Sequence, residues 1–204
     1  MMNIRQGLVT DSANLCELIL SSAPVLLPYL FKGEQAVKAF IEQAAQQDNG
    51  QFSANMHYVI EPSKNDNSNL QICACMTLWH AQLGDAFQLA TLKCLQQYLL
   101  ESQIQHLLIT NPLLSRVFQS PLEHELCVGH LAVHENFKGQ GLGRKLIAHA
   151  IKQAKILNKS CVILDVDKDN DEALSFYLAC GFMLSKDSFF EPTQQTFSRL
   201  HYTL

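Results

Sequence analysis

A glycine-rich turn between an apolar run and an amphipathic run constrains this chain more than any other feature of its sequence. The turn, residues 138–144, reads Lys-Gly-Gln-Gly-Leu-Gly-Arg; residues 126–133 before it are mostly apolar, and residues 142–158 overlap its end and are amphipathic. This order predicts a strand, a tight turn and a helix. Three glycines at alternate positions permit positive φ and leave no side chains in the way of a ligand.

The predicted turn has the features of an anion-binding site. Successive backbone N–H groups of such a turn point into one concavity, and the helix start adds unpaired N–H groups and the positive end of the helix dipole. Lys138, Arg144 and Lys145 add full positive charge. A Walker loop would need Lys followed by Ser or Thr, and a dinucleotide fingerprint would need glycine at position 144, so neither pattern fits. The turn is interpreted as a phosphate cradle.

The same residues resemble the pyrophosphate-binding signature [Q/R]-x-x-G-x-[G/A] of the GNAT superfamily of acyl-CoA-dependent N-acyltransferases. Lys138, Gly141 and Gly143 stand at its three fixed positions, and lysine at the first is a departure that keeps the charge. On this stretch alone, a glycine-rich turn before a surface helix stays an open alternative. Two neighbours strengthen the resemblance: residues 131–134 are similar to the family's Leu-Ala-Val-His strand end, and residues 170–182 follow its pattern N-x-x-A-x-x-x-Y-x-x-x-G-F.

The resemblance implies an α/β fold, in which helices flank a mixed, splayed central β-sheet, in a single domain over residues 1–204. It implies acetyl-CoA as co-substrate and no metal. The resemblance implies that the pantetheine arm of acetyl-CoA runs beside the fourth strand, where Gly129 predicts a bulge. The implied cofactor-binding residues are Leu131, Ala132, Val133, Lys138, Gly139, Gln140, Gly141, Leu142, Gly143, Arg144, Asn170, Ala173 and Tyr177.

Acyl transfer to an amine needs a group that protonates the leaving thiolate and one that takes a proton from the amine. The resemblance implies Tyr177 as the general acid; the alternative is an aromatic that caps the core. Glu125 at the start of the fourth strand is the predicted base, with Glu123 and His130 as rivals and an exposed strand-end charge as its alternative role. Asn170 would bind the pantetheine, cap a helix, or do both.

The first half of the chain matches the family only in the order of its elements. A strand is predicted over residues 4–8, helices from Thr10 or Asp11 and over residues 34–47, and strands over residues 56–60 and 70–79. Residues 62–69 are polar and predict an exposed hairpin loop. Between the two helices, Pro24 and Pro28 are predicted to end helical structure. The apolar residues in this region either line the pocket for the acyl acceptor, as an acceptor wall, or pack in the core: Leu26, Leu27, Tyr29, Leu30 and Phe31.

An insertion of about residues 80–124 separates the third and fourth predicted strands. Residues 86–100 predict a helix that is apolar nearly all round, and such helices are usually buried. Residues 104–111 and 112–119 add a second apolar segment. Three roles of the inserted segment are compatible with this pattern: an extra core layer, a cap over the acceptor site, or a dimer surface. Since a single chain rarely leaves a large apolar patch in water, either the second segment or a second copy, in a homodimer, covers the surplus.

Composition narrows the function classes further. A net charge of −4 gives no basic footprint for nucleic acid, and no apolar run reaches the length of a membrane span. The first ten residues lack a signal peptide, so the seven cysteines are predicted to be reduced in a cytoplasmic protein. Cys73 and Cys75 are expected as small buried hydrophobes rather than metal ligands. His124, His130 and His134 are not spaced to gather around a metal.

The resemblance to the GNAT superfamily implies an acetyl-CoA-dependent N-acetyltransferase whose acceptor is a small-molecule or peptide amine. A non-catalytic acyl-CoA-binding sensor or interaction module is the alternative class. An intact Tyr177 together with a convincing base favours the enzyme.

Overall fold

The computed structural model describes residues 3–63 and 70–204, so most of the loop predicted at residues 62–69 lies outside the described residues. The strands are β1 (Ile4–Gln6), β2 (His57–Ile60), β3 (Ala74–Trp79), β4 (Glu125–Val133), β5 (Cys161–Asp167), β6 (Met183–Phe190) and β7 (Gln195–Thr203). The helices are α1 (Ser12–Ser22), α2 (Leu26–Phe31), α3 (Glu34–Ala44), α4 (Gly84–Tyr98), α5 (Glu101–Val117), α6 (Leu142–Ile156) and α7 (Asp171–Ala179). Within the described ranges, no helix is long and apolar enough to span a membrane.

The strands form one open mixed sheet in the order β1-β2-β3-β4-β5-β7-β6, which confirms the predicted α/β fold with helices around a mixed sheet. β4 and β5 are parallel and pair over three residues only, from Glu125 with Cys161 to Cys127 with Ile163. β5 by contrast pairs antiparallel with β7 along its whole length. The short register of β4 agrees with the predicted splay, because residues of β4 beyond Cys127 continue without further pairing to β5.

The chain divides into two compact units. One comprises the described parts of Met1–Thr77 together with Leu83–Leu107 and His130–Leu146; the other comprises Leu78–Gln82, Leu108–Gly129 and Ile147–Leu204. The single domain over residues 1–204 stays a prediction.

In the first unit, α2 differs from the sequence prediction. Pro28 is its third residue, and a helix tolerates proline in its first turn because the N–H there has no partner within the helix. The four aliphatic and phenylalanine side chains of α2 are buried, which favours core packing over an acceptor wall: Leu26, Leu27, Leu30 and Phe31. Tyr29, the fifth member of the apolar group, is half-buried, and its ring contacts that of His106 with centroids 4.9 Å apart.

In the second unit, Asp165 interrupts the apolar run of residues 161–166 in β5 and has a structural partner. Asp165 lies opposite Arg199 in the β5–β7 register, and their side chains form an ion pair of 2.7 Å that is about nine-tenths buried. Arg199 also donates to the carbonyl of Gln119 at 2.9 Å. The pair satisfies a charge that burial would otherwise penalise.

The inserted segment is helical, but α4 is not the buried helix that its sequence predicts. Leu89 and Leu92 are 53% and 54% exposed, whereas Cys94 is buried. Thr91 and Tyr98 explain the orientation: the Thr91 hydroxyl accepts from the Gln51 N–H at 2.9 Å, and the Tyr98 hydroxyl accepts from Gln47. The side of α4 that carries these groups faces the protein, so part of its apolar surface faces outward.

Candidate active site

The end of β4 is held in place before the glycine-rich turn begins. Ala132 is buried between the half-buried Leu131 and Val133. The next residue, His134, donates its N–H to the carbonyl of Cys73 at 2.8 Å. A 3-10 turn over Glu135–Phe137 follows, and the Phe137 side chain is buried. The hydrogen bond of His134 and the buried side chain of Phe137 therefore hold the backbone in place just before the glycine-rich turn.

Two of the three glycines in the turn adopt left-handed backbone. Gly139 has φ 75° and Gly141 has φ 78°, and a Cβ atom at either position would meet no atom within 4 Å. The requirement for glycine here is conformational rather than steric, since left-handed backbone penalises other residues. Gly143 instead lies in the first turn of α6, so the interpretation that all three glycines use positive φ is wrong.

The turn leads directly into the start of α6. The N–H of Lys145 donates to the carbonyl of Gly141 at 3.1 Å, which makes Gly141 the residue before the helix. The N–H groups of residues 142–144 then belong to the first turn, where helices have no internal acceptors. Lys138, Gly139 and Gln140 are exposed beside them. Exposed backbone at a helix start suits a phosphate group.

Asn170 and Ala173 lie at the start of α7 in the second unit. Asn170 is the N-cap, and its Oδ1 accepts from the N–H of Ala173 at 3.0 Å. The capping role left open by the sequence is therefore present. Such a cap contributes about 1 kcal/mol to helix stability.

Tyr177 lies in the last turn of the same helix, which ends in a Schellman motif. The N–H of Phe182 donates to the Tyr177 carbonyl at 3.1 Å, and the N–H of Gly181 donates to the Leu178 carbonyl at 3.0 Å. Gly181 has φ 92°, and the rings of Tyr177 and Phe182 make the apolar contact typical of this motif, with centroids 5.9 Å apart. The spacing Tyr-x-x-x-Gly-Phe is thus a helix stop that fixes the tyrosine.

The Tyr177 side chain is buried. Burial raises the pKa of its phenol above the ordinary value, and the neighbouring Cys180 raises that pKa further. The phenol therefore keeps its proton at neutral pH, which is the form that a proton donor needs.

Glu125 is the first residue of β4 and is half-buried. Its carboxylate accepts from the N–H of Leu122 at 2.9 Å. It precedes Leu131 by six positions in the sequence. Its predicted role as the base stays a prediction.

His130 interrupts the regular course of β4. The bulge predicted at Gly129 stays a prediction; the left-handed backbone in β4, φ 45°, belongs to the next residue, His130. Histidine is among the few residues that adopt this conformation with some frequency. The His130 Nδ1 lies 3.3 Å from Nε2 of His57, whose own Nδ1 lies 2.8 Å from the carbonyl oxygen of Ser53. His57 is fully buried, and the sequence analysis did not single it out.

Both histidines are neutral at neutral pH. Burial lowers the pKa of His57 to about 4. Burial, and secondarily the nearby charge of His57, lowers the pKa of His130 well below its ordinary value. Neither ring therefore takes up a proton until the solution is distinctly acidic.

A pH dependence of stability follows from the pKa of His57. In the unfolded chain this histidine takes up a proton near pH 6.5, whereas in the folded protein it does so near pH 4, so the unfolded state binds more protons between these values. The free energy of unfolding should fall by on the order of 3 kcal/mol as the pH falls through that window. Urea unfolding of the wild type and His57→Gln at pH 7 and pH 5 measures it. The difference in stability between the two proteins should shrink at pH 5, and a constant difference would contradict the assignment.

The comparisons with known proteins agree with the fold. The model of the Acetyltransferase (GNAT) family matches residues 114–182, from the end of α5 to Phe182, and confirms the resemblance read from the sequence. No curated protein sequence matches the chain.

Three solved structures of similar fold cover nearly the whole chain. An N-acetyltransferase from Staphylococcus aureus Mu50 is 16% identical with a TM-score of 0.71, over 98% of this chain and 100% of that one. An acetyltransferase is 17% identical with a TM-score of 0.67, over 98% of both chains. The NatC complex bound to Gag peptide and CoA contains a chain 15% identical with a TM-score of 0.57, over 100% of this chain and 98% of that one. At these identities the similarity establishes the fold alone.

Proposed function

We propose that this GNAT-family protein transfers the acetyl group of acetyl-CoA to a primary amine, by direct attack within a ternary complex. The observation that carries the proposal is the turn in which Gly139 and Gly141 adopt left-handed backbone immediately before α6. This arrangement supports binding of a pyrophosphate by exposed backbone N–H groups. The match of residues 114–182 to the family model supports acetyl transfer as the reaction.

The cofactor would be held by three segments. The backbone of Leu131 and Val133 would hydrogen-bond to the pantetheine arm, with Ala132 buried between them, and residues 138–144 would bind the pyrophosphate. Lys138 and Arg144 would add positive charge at that turn. Asn170 and Ala173 would contact the arm from the start of α7. Acetyl-CoA is a co-substrate in this proposal, and no metal is required.

The chemistry divides between an acid and a base. The lone pair of the amine attacks the thioester carbon, a C–N bond forms, and the C–S bond breaks with its electron pair on sulfur. Backbone N–H groups near Leu131 would stabilise the oxyanion. The protonated phenol of Tyr177 would give its proton to the thiolate. Glu125 and His130 are the alternative candidates for the base that takes the proton from the amine.

A screen of amines tests the proposal. The purified protein is incubated with acetyl-CoA and one member of a panel of small amines, amino acids and peptides, and free thiol is measured. Thiol release that depends on the amine, with acetylated amine found by mass spectrometry, is expected. Binding of acetyl-CoA without turnover on any amine would instead support a non-catalytic acyl-CoA-binding module. If the protein neither binds acetyl-CoA nor acetylates any amine, the proposal is refuted.

The free thiols support a cytoplasmic protein. All seven cysteines are unbridged, and most are buried. The thiols of Cys73 and Cys75 point to backbone carbonyls at 3.4 and 3.3 Å, as small buried side chains do. The proposal assigns the protein neither a nucleic-acid nor a membrane partner.

A homodimer through the outward face of α4 is proposed as well, because Leu89 and Leu92 expose apolar surface there. Leu92→Glu should convert a wild-type dimer into a folded monomer, measured by sedimentation at micromolar concentration. Leu99→Glu is the contrasting variant. Leu99 is buried, so a charge there should unfold the protein rather than divide a dimer. A wild-type protein that sediments as a monomer would contradict the dimer.

A further inference from the structure

Two histidines from separate strands form a hydrogen-bonded pair where β4 is irregular. His57 is the first residue of β2, and His130 lies in β4, yet their ring nitrogens approach to 3.3 Å. The rings are inclined by only 14°, with centroids 5.5 Å apart. The centroid separation exceeds the nitrogen separation by roughly two ring radii, so the rings meet edge to edge in nearly one plane. An N–H in the plane of one ring then points at the lone pair of the other, as a hydrogen bond requires.

The partner of His57 determines which nitrogens carry protons. The Ser53 carbonyl oxygen only accepts, so the Nδ1 of His57 must be the donor across 2.8 Å. A neutral imidazole has one N–H, so the Nε2 of His57 is an acceptor. The Nδ1 of His130 must then donate to it. The proton of a neutral His130 is therefore on Nδ1, and its Nε2 has the lone pair.

The rest of the surroundings fix the His130 ring in this orientation. The Phe52 ring stacks on it with centroids 5.2 Å apart and an inclination of 24°. Phe52 in turn contacts Phe40 edge-on at 5.4 Å. The His130 carbonyl accepts from the Cys75 thiol at 3.3 Å, which holds the left-handed backbone. A non-glycine residue persists in this conformation only where its neighbours enforce it, and such residues cluster at functional sites.

We infer that His57 is a positioning residue that holds His130 with Nδ1 protonated, and that Nε2 of His130 takes the proton of the acceptor amine. The catalytic half of this inference rests on the proposed function, because His130 directly precedes Leu131, the residue expected beside the thioester. In the step, the amine N–H bond breaks, its proton moves to Nε2, and its electron pair stays on the nitrogen bound to the acetyl carbon. The lowered pKa of His130 keeps the ring neutral before the step, and the proton that it accepts comes from the positively charged nitrogen of the tetrahedral adduct, which is a stronger acid than a free ammonium.

Histidine tautomers in the protein without substrate test the first half. In the wild type labelled with 15N-histidine at pH 7.5, NMR should give the shifts of a protonated Nδ1 and an unprotonated Nε2 for His130. His57→Leu removes the acceptor and should change the tautomer ratio of His130. His57→Gln keeps an acceptor oxygen and should restore it. Thr77→Val is the control; Thr77 lies opposite His57 in the β2–β3 register, and this change should leave the tautomer intact. An Nε2-protonated His130 in the wild type would overturn the inference without any variant.

Turnover tests the second half. His130→Asn keeps a residue that tolerates left-handed backbone, and it should lower kcat about 100-fold while leaving acetyl-CoA affinity within about twofold. His57→Leu should lower kcat with little change in KM for acetyl-CoA, and His57→Gln should recover part of the loss. Unchanged kcat in a folded His130→Asn protein, or a larger loss in Glu125→Gln, would overturn the catalytic role. Failure of every amine to react would refute the proposed function, while the tautomer result would still decide the role of His57.

Discussion

Replacing Tyr177 by phenylalanine is expected to lower kcat about 100-fold and to leave the affinity for acetyl-CoA nearly unchanged. The substitution removes one hydroxyl and keeps the ring, and so preserves the contact with Phe182 and the helix stop at Gly181. Burial raises the pKa of the Tyr177 phenol, which keeps the proton available for the thiolate. The rate should be measured where chemistry limits turnover, and cofactor affinity by calorimetry.

Tyr202→Phe is the matched control for this experiment. The Tyr202 ring contacts Phe182 in the same aromatic group, with centroids 5.6 Å apart, and has no proposed role in the reaction. The control should retain wild-type kcat. Equal rates in the wild type and Tyr177→Phe would mean that Tyr177 is a packing residue, which is the alternative that its sequence position left open.

The second large effect is expected at the glycine-rich turn. Gly141→Val should weaken acetyl-CoA binding about 10- to 100-fold, since the loss of one hydrogen bond to a charged group amounts to about 1.5–3 kcal/mol. A valine is strained at φ 78°, so the backbone must move away from the arrangement that presents its N–H groups. Calorimetry with acetyl-CoA measures the change.

Gly84→Val separates this effect from general strain. Gly84 also has left-handed backbone, φ 64°, and a Cβ atom there would also meet no atom within 4 Å, but it is the first residue of α4 and lies outside the turn before α6. Both variants should lose similar stability in thermal unfolding, and only Gly141→Val should lose affinity. Equal affinity for acetyl-CoA in the two folded variants would contradict binding of the pyrophosphate at residues 138–144.

The features predicted most accurately from the sequence are those encoded by adjacent residues. The glycine turn, the helix after it and the segment from Asn170 to Phe182 are each local, because backbone freedom and capping depend on a few neighbouring positions. Even the family pattern around Tyr177 has a local physical basis, a helix cap. Such signals survive without knowledge of the fold.

The features that were missed depend on tertiary contacts. His57 and His130 are 73 residues apart, and no local sequence pattern around either residue predicts that their side chains are in contact. The outward face of α4 was mispredicted because an apolar helix does not reveal how much of its surface other elements cover. The helix α2 was missed because Pro28 ends helices at most positions but fits within a first turn.

The helix stop after Tyr177 has a consequence for how the activity would depend on temperature. The last turn of a helix frays more readily than its interior, and each frayed molecule has its tyrosine out of position. Under the proposed role of Tyr177, the fraction of molecules able to react would depend on Gly181 and Phe182, which hold the helix end but need not contact a substrate, and the measured activity would scale with that fraction. Warming would reduce activity through this local equilibrium before the protein as a whole unfolds.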